Sequence, residues 1–311
     1  MAKTLAEQAV NAMNEVSGVH PGYRAAHAKG TLMAGTFTAT SRAARLTRAP
    51  HMQGRPVPAT VRFSNGSGDP GAPDYARSGR GLAVKLYLED GSRTDMVALT
   101  LPCFFVRTPE DFVEFTRAQK PVPESGRPDM ETLGAFLASH PEAEPAIQAT
   151  LAAQPPTSYA ACIYNGIHTF RWTNAQGRAR DIRFRFEPEE GTEQLSPNEA
   201  RERGGDYLNE EIAGRQGAAF RLIVALAGAE DPVDDPTAAW PDDRETVDVG
   251  RLELRGPEPE RERDGDVLVF DPTRVVDGIE LSDDPVLRFR PRAYAVSVER
   301  RSGAPIPPGL T

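Results

Sequence analysis

A chain of 311 residues with a formal net charge of −9 is long enough to bury one large β-rich core, and its acidic balance argues against a surface for nucleic acid or anionic lipid. Two cysteines, Cys103 and Cys162, supply neither a disulfide framework nor a four-ligand zinc site. A small-molecule partner and a reducing, cytoplasmic setting fit that inventory.

The first segment, MAKTLAEQAVNAMNEV, interrupts its apolar positions with Glu7, Asn11, Asn14 and Glu15, which predicts an amphipathic helix and not the apolar core of a secretory signal. No apolar run approaches bilayer-spanning length, and the closing GAPIPPGLT is too short and proline-rich to anchor the chain. Lys29 to Phe37, with Gly30, Gly35 and Thr36, reads as an irregular extended segment. ATVRFSNGS (59–67), GLAVKLYL (81–88) and DMVALTLPCFFV (95–106) read as strands of a meander. Residues 131–154 have helical spacing broken at Pro141 and Pro145, predicting two short helices. Residues 158–188 predict a hairpin turning at NAQG. One capped helix follows over 196–215, then a buried strand over 218–229 and an acidic, proline-rich excursion over 230–245. Two more strands are expected at 248–256 and 265–272, and a last helix over 285–299. With no internal repeat and no long linker, the pattern predicts a single α+β barrel domain over 1–311.

Five histidines can be weighed one by one. His20, His51 and His140 stand near proline or glycine in apparent loops, with no second histidine or cysteine at ligand spacing, and read as surface residues. His168 opens a strand after the turn YNG, where a structural hydrogen-bonding role and a site role are both open. His27, in GYRAAHAKG, has small neighbours that leave room around the imidazole and Arg24 three positions before it; spacing alone does not separate proton transfer from a structural role. Near the C-terminus, RFRPRAYAVSVERR places Arg290 and Tyr294 on one helical face. A guanidinium there favours phenolate over phenol, giving a hard anionic oxygen suited to ferric iron, although a solvated basic helix fits the same pattern. Pro291, directly after Arg290, fits a helix start at that arginine.

Taken together these segments resemble the haem catalases, collinearly over about residues 20 to 302. HPGYRAAHAKGTLMAGTF resembles the family's distal segment; VRFSNGSGDPGAPDYARSGRGLAVKLY its Arg-Phe-Ser and Arg-Gly-x-Ala-Val-Lys strands; LPCFFVRTPEDF its Pro-x-Phe-Phe-x-Arg segment. YNGIHTFRWTNAQG resembles the Gly-x-His-Thr-Phe hairpin, and FDPTRVVDGIELSDDPVLRFRPRAYAVSVERR the proximal Arg-x-x-x-Tyr segment. The resemblance implies a catalase-like antiparallel barrel with surrounding helices and one haem b, with its iron, per chain. It gives His27 the role of distal acid-base, Ser64 that of its hydrogen-bonding partner, Tyr294 that of iron ligand and Arg290 that of the ligand's guanidinium partner. Arg24, Arg62 and Arg301 match the arginines that neutralise the haem propionates, Phe104 and Phe112 the aromatics beside the distal pocket, and His168 a histidine on the proximal side. Ala26 stands where the family usually has a channel valine.

Two departures qualify these expectations. Leu99, followed by Thr100, occupies the place of the family's distal asparagine, three residues before Pro102. The long N-terminal arm, the wrapping loop and the C-terminal region of full-length catalases have no counterpart in the sequence, which implies a more open haem and, without the parts that lock a tetramer, a homodimer. The expected activity is a peroxidase that uses hydrogen peroxide or organic hydroperoxides to oxidise small organic reductants, with weak catalase activity. Rearrangement of hydroperoxides in the manner of allene oxide synthase, or haem carriage without catalysis, are the alternatives.

Overall fold

The computed structural model describes residues 2–258 and 267–303. Buried and part-exposed side chains alternate along Gly30–Ala39 (β1) and Ala179–Pro188 (β6), the signature of strands with one face turned to a core. Val57–Asn65 (β2) is buried at every position but Pro58, so its outward face is covered as well. Arg80–Tyr87 (β3), Arg93–Leu99 (β4), Tyr164–Thr173 (β5), Ala219–Leu226 (β7), Thr246–Pro257 (β8) and Ile279–Leu281 (β9) complete the strands among the described residues.

Neighbouring strands run in the order β4-β3-β2-β1-β8-β7-β6-β5, all antiparallel, and the pair Leu99↔Asn165 joins β4 to β5. Eight strands therefore close into a barrel, and β9 pairs with the other end of β5 through Phe170↔Leu281. Closure removes the open edges that a flat sheet would expose. Inside, Phe63 stacks on Tyr159 at 5.6 Å and lies 6.1 Å from both Tyr164 and Phe220.

Helices cover the outside. Leu5–Ser17 (α1) starts in a reciprocal cap between Thr4 and Glu7. Ala43–Leu46 (α2), Pro109–Ala118 (α3), Met130–Ser139 (α4), Glu144–Ala152 (α5), Pro197–Glu202 (α6), Tyr207–Gly214 (α7) and Pro285–Ser302 (α8) follow, and α1 packs against α3 and α8.

The structure departs from the sequence reading at several points. Residues 30–39 form a regular strand, not an irregular one; the irregularity is a register shift against β8 at Ala34/Gly35. The strand expected over 95–106 ends at Leu99, and Phe104 donates its amide to the Pro236 carbonyl at 2.8 Å. The helix over 196–215 divides at Gly204, whose φ of +96° ends α6 before α7 begins. Of the strand expected at 265–272, residues 265 and 266 lie outside the described residues; 267–272 carry no ladder and are held instead by the Asp271 amide on Asp95 Oδ2 at 2.8 Å. Asp95 is buried on the barrel wall, where it also accepts from Lys85 Nζ at 2.5 Å and from Arg274. Pro291 lies inside α8 rather than at its start, where its ring removes one helical hydrogen bond.

Candidate functional site

Strand register builds the floor of the site on the barrel's outer face. Val61, Phe63, Leu82, Val84 and Ala98 point into the core, so the alternating residues point outward. Register then sets Ser64 opposite Gly81 and Gly81 opposite Leu99 in one row, and Leu32, Arg62, Ala83 and Val97 in the next. Leu32, Ala83 and Val97 pack with Leu268 and Phe270 from the segment anchored by Asp95. Gly81 and Ala83 keep side-chain bulk off this face beside Ser64 and Arg62.

His27 stands over the row of Ser64 and Gly81. Its Nδ1 lies 3.0 Å from Ser64 Oγ, and a Cβ on Gly81 would stand 3.0 Å from the imidazole and 2.8 Å from that oxygen. Among the described residues His27 is the one non-glycine with positive φ, 54°. The loop is tied down where the His27 amide reaches the Gly66 carbonyl at 3.3 Å and the Ala28 amide the Ser67 carbonyl at 3.0 Å. Burial, then the charges of Arg62, Arg290 and Arg24, push the imidazole down to about 3. His27 is therefore neutral across the ordinary pH range.

A second group assembles around α8. Arg290 donates from Nε to Tyr294 Oη at 2.8 Å and from Nη1 to His168 Nε2 at 2.9 Å. A guanidinium can only donate, so Nε2 is the acceptor and the proton sits on Nδ1, which donates to Asp284 Oδ2 at 2.6 Å. Burial holds His168 below the usual imidazole range, opposed by Asp284. Asp284 serves two ends at once, because its Oδ1 caps α8 by accepting from the amides of Val286 and Leu287 at 2.8 and 3.0 Å. The sequence reading missed Asp284, although an aspartate directly before a proline at a helix start is a capping signal.

The charge of Arg290 is among those that act on His27, so the two groups are neighbours. Around them, Arg24 and Arg301 both donate to the Leu268 carbonyl, at 2.6 and 3.5 Å, and Arg62 to the Ala28 carbonyl at 3.2 Å. The structure thus brings together His27, Ser64, Arg24, Arg62 and Arg301 on one side and His168, Arg290 and Tyr294 on the other. Phe104 and Phe112 form a separate stack, 6.3 Å apart and nearly parallel; Phe112 packs with Phe289, next to Arg290, around Val113. The space that Gly81 keeps beside His27 and Ser64, the nearby arginines Arg24 and Arg62, and a phenol held by a guanidinium fit a group that carries carboxylates and a hard metal ion.

Comparison with known proteins agrees with this geometry. The family model described as Catalase matches residues 20–306. A catalase-related peroxidase of Mycolicibacterium paratuberculosis is 44% identical over 301 residues, covering 96% of this chain and 95% of that protein. One from Synechococcus elongatus is 35% identical, covering 95% and 88% respectively. Among solved structures, a fungal catalase superposes with a TM-score of 0.81 at 27% identity over 91% of this chain, which spans 60% of the fungal one. The family model spans most of the chain and the Mycolicibacterium relative is matched nearly end to end, so the chain belongs to the catalase family.

Proposed function

We propose that this protein is a haem-dependent peroxidase that consumes hydrogen peroxide or organic hydroperoxides and oxidises small organic donors, with catalase turnover as a minor activity. The observation that carries the reading is the unbroken chain Asp284–His168–Arg290–Tyr294, beside the His27–Ser64 contact. The similarity to proteins named catalase-related peroxidase supports it.

Arg290 donates to the phenolic oxygen of Tyr294, and His168, fixed by Asp284, keeps that guanidinium aimed at it. Tyr294 would supply the oxygen ligand to a single haem b, and Arg24, Arg62 and Arg301 would hold its carboxylates. When bound, the haem supplies the electrons that cleave the peroxide O–O bond. Ser64 orients His27, which takes the proton from the nearer peroxide oxygen and returns it to the departing one. Leu99, in the row of Ser64 and Gly81, offers peroxide no amide hydrogen bond. That favours an organic donor over a second peroxide as reductant. No described helix is long and apolar enough to cross a membrane, and the buried free thiols Cys103 and Cys162 suit a reducing, cytoplasmic setting.

Tyr294→Phe tests the reading. Haem content per chain, measured by pyridine haemochrome, should fall sharply, and the visible spectrum of any remaining haem should lose its phenolate character. Full loading with an unchanged spectrum would overturn the assignment of Tyr294 as ligand.

A further inference from the structure

Outside the haem site, one group among the described residues brings three potential metal ligands together: Asp111 in the first turn of α3, His140 at the end of α4 and Glu142 in the turn that follows, with ligand atoms all within 4.8 Å of one another. From sequence His140 reads as a surface residue with no second histidine or cysteine at ligand spacing; the carboxylate of Asp111 comes from a different helix. In the structure the His140 and Asp111 side chains are only 18% and 23% exposed.

The orientation of His140 is informative. Its Nδ1 lies 3.0 Å from the Phe136 carbonyl, which can only accept, and 3.1 Å from Ser139 Oγ, whose own proton goes to that carbonyl at 2.9 Å; a proton on Nδ1 satisfies this set and leaves Nε2 turned toward the carboxylates. The ring is fixed further by stacking on Phe136, with centroids 4.0 Å apart and planes 10° from parallel. A metal-bound imidazole characteristically gives its other N–H to a carbonyl or carboxylate in this way. Nε2 and Asp111 Oδ1 are 3.5 Å apart. That is longer than the roughly 2.7–2.9 Å of a charge-assisted hydrogen bond. It matches the separation of about 3.4 Å between two ligands of a tetrahedral ion with bonds of about 2.1 Å.

We propose that Asp111, His140 and Glu142 form a divalent-cation site suited to Zn²⁺, with a fourth position left to water, that clamps α3 to the end of α4. One imidazole nitrogen and two carboxylate oxygens suit a borderline ion better than Ca²⁺ or Mg²⁺, which favour all-oxygen cages. The clamp acts on a row of rings: His140 stacks on Phe136, Phe136 lies 5.3 Å from Phe115, and Phe115 4.7 Å from Phe105. An ion there orders the α4–α5 insertion against α3.

The test is calorimetric titration of haem-loaded, chelator-stripped protein with zinc chloride, beside limited proteolysis with and without the ion. Wild type should bind one Zn²⁺ with micromolar affinity and resist cleavage within 130–152 when it is bound. His140→Ala, Asp111→Asn and Glu142→Gln should each weaken binding at least about tenfold, while His20→Ala should not. Glu142→Gln keeps the test open if His140→Ala disturbs α4, because Glu142 lies beyond the helix. Absence of saturable binding, or undiminished affinity in any of the three ligand variants, would overturn the site.

Discussion

His27 holds its imidazole on a left-handed backbone that costs a non-glycine residue about 1–3 kcal/mol. The strain persists because two main-chain bonds to the loop after β2 and the contact with Ser64 fix the residue from three sides. Gly81 completes the arrangement by leaving space where any side chain would collide. Gly81→Ala should therefore keep haem bound but displace His27 and Ser64, slowing the reaction with peroxide by at least about tenfold, given that a positioned acid-base group contributes about 10²–10⁴. Stopped-flow traces equal to wild type would show that His27 tolerates the shift or does not act in the step. Nothing in the local sequence marks Gly81 for this role. Ser64, Gly81 and Leu99 become neighbours through strand register, which hydrophobic alternation does not encode beyond inward and outward.

At the level of elements, α8 joins helix capping to the geometry of the phenol. Asp284→Ala should remove the cap, worth about 1 kcal/mol, and leave the buried Nδ1–H of His168 without its acceptor, worth a further 1–3 kcal/mol or so. Asp284→Asn should recover most of the cap, since asparagine caps as well as aspartate. Urea denaturation of both variants checks this: equal stability of alanine, asparagine and wild type would mean that Asp284 supports neither α8 nor His168. Such contacts also show how much of the fold the sequence discloses. The hairpin at NAQG, the two helices around Pro141 and the Arg290–Tyr294 pair are local and were legible. The bond between His168 and Asp284 spans 116 positions and was not. β9, with three residues, is too short to show periodicity. The cap of α3, Thr108 before Pro109, followed an aromatic run that read as strand.

For the molecule as a whole, burial of neutral imidazoles sets the response to acid. His51, expected at the surface, is 1% exposed, its Nδ1 has no hydrogen-bond partner among the described residues, and burial pushes it down to about 4. The unfolded chain protonates this group near 6.5, the folded one only near 4. The stability that this one residue contributes is thus complete above about pH 6.5 and drains as the pH falls, by roughly 3 kcal/mol for the pair of values. His51→Leu should flatten the decline in unfolding free energy between pH 7.5 and 4.5, measured by denaturant titration at both; an unchanged slope would mean that His51 is not buried neutral. The Leu268 carbonyl shared by Arg24 and Arg301 bears on a different matter, the order of events on the ribosome. Arg24 is synthesised before any barrel strand, whereas Leu268, Tyr294 and Arg301 follow all eight. All eight barrel strands are thus made before Leu268 and α8 emerge. If Tyr294 is the iron ligand as proposed, a chain stalled before α8 would present His27 and Ser64 without that ligand, so haem capture would wait for α8.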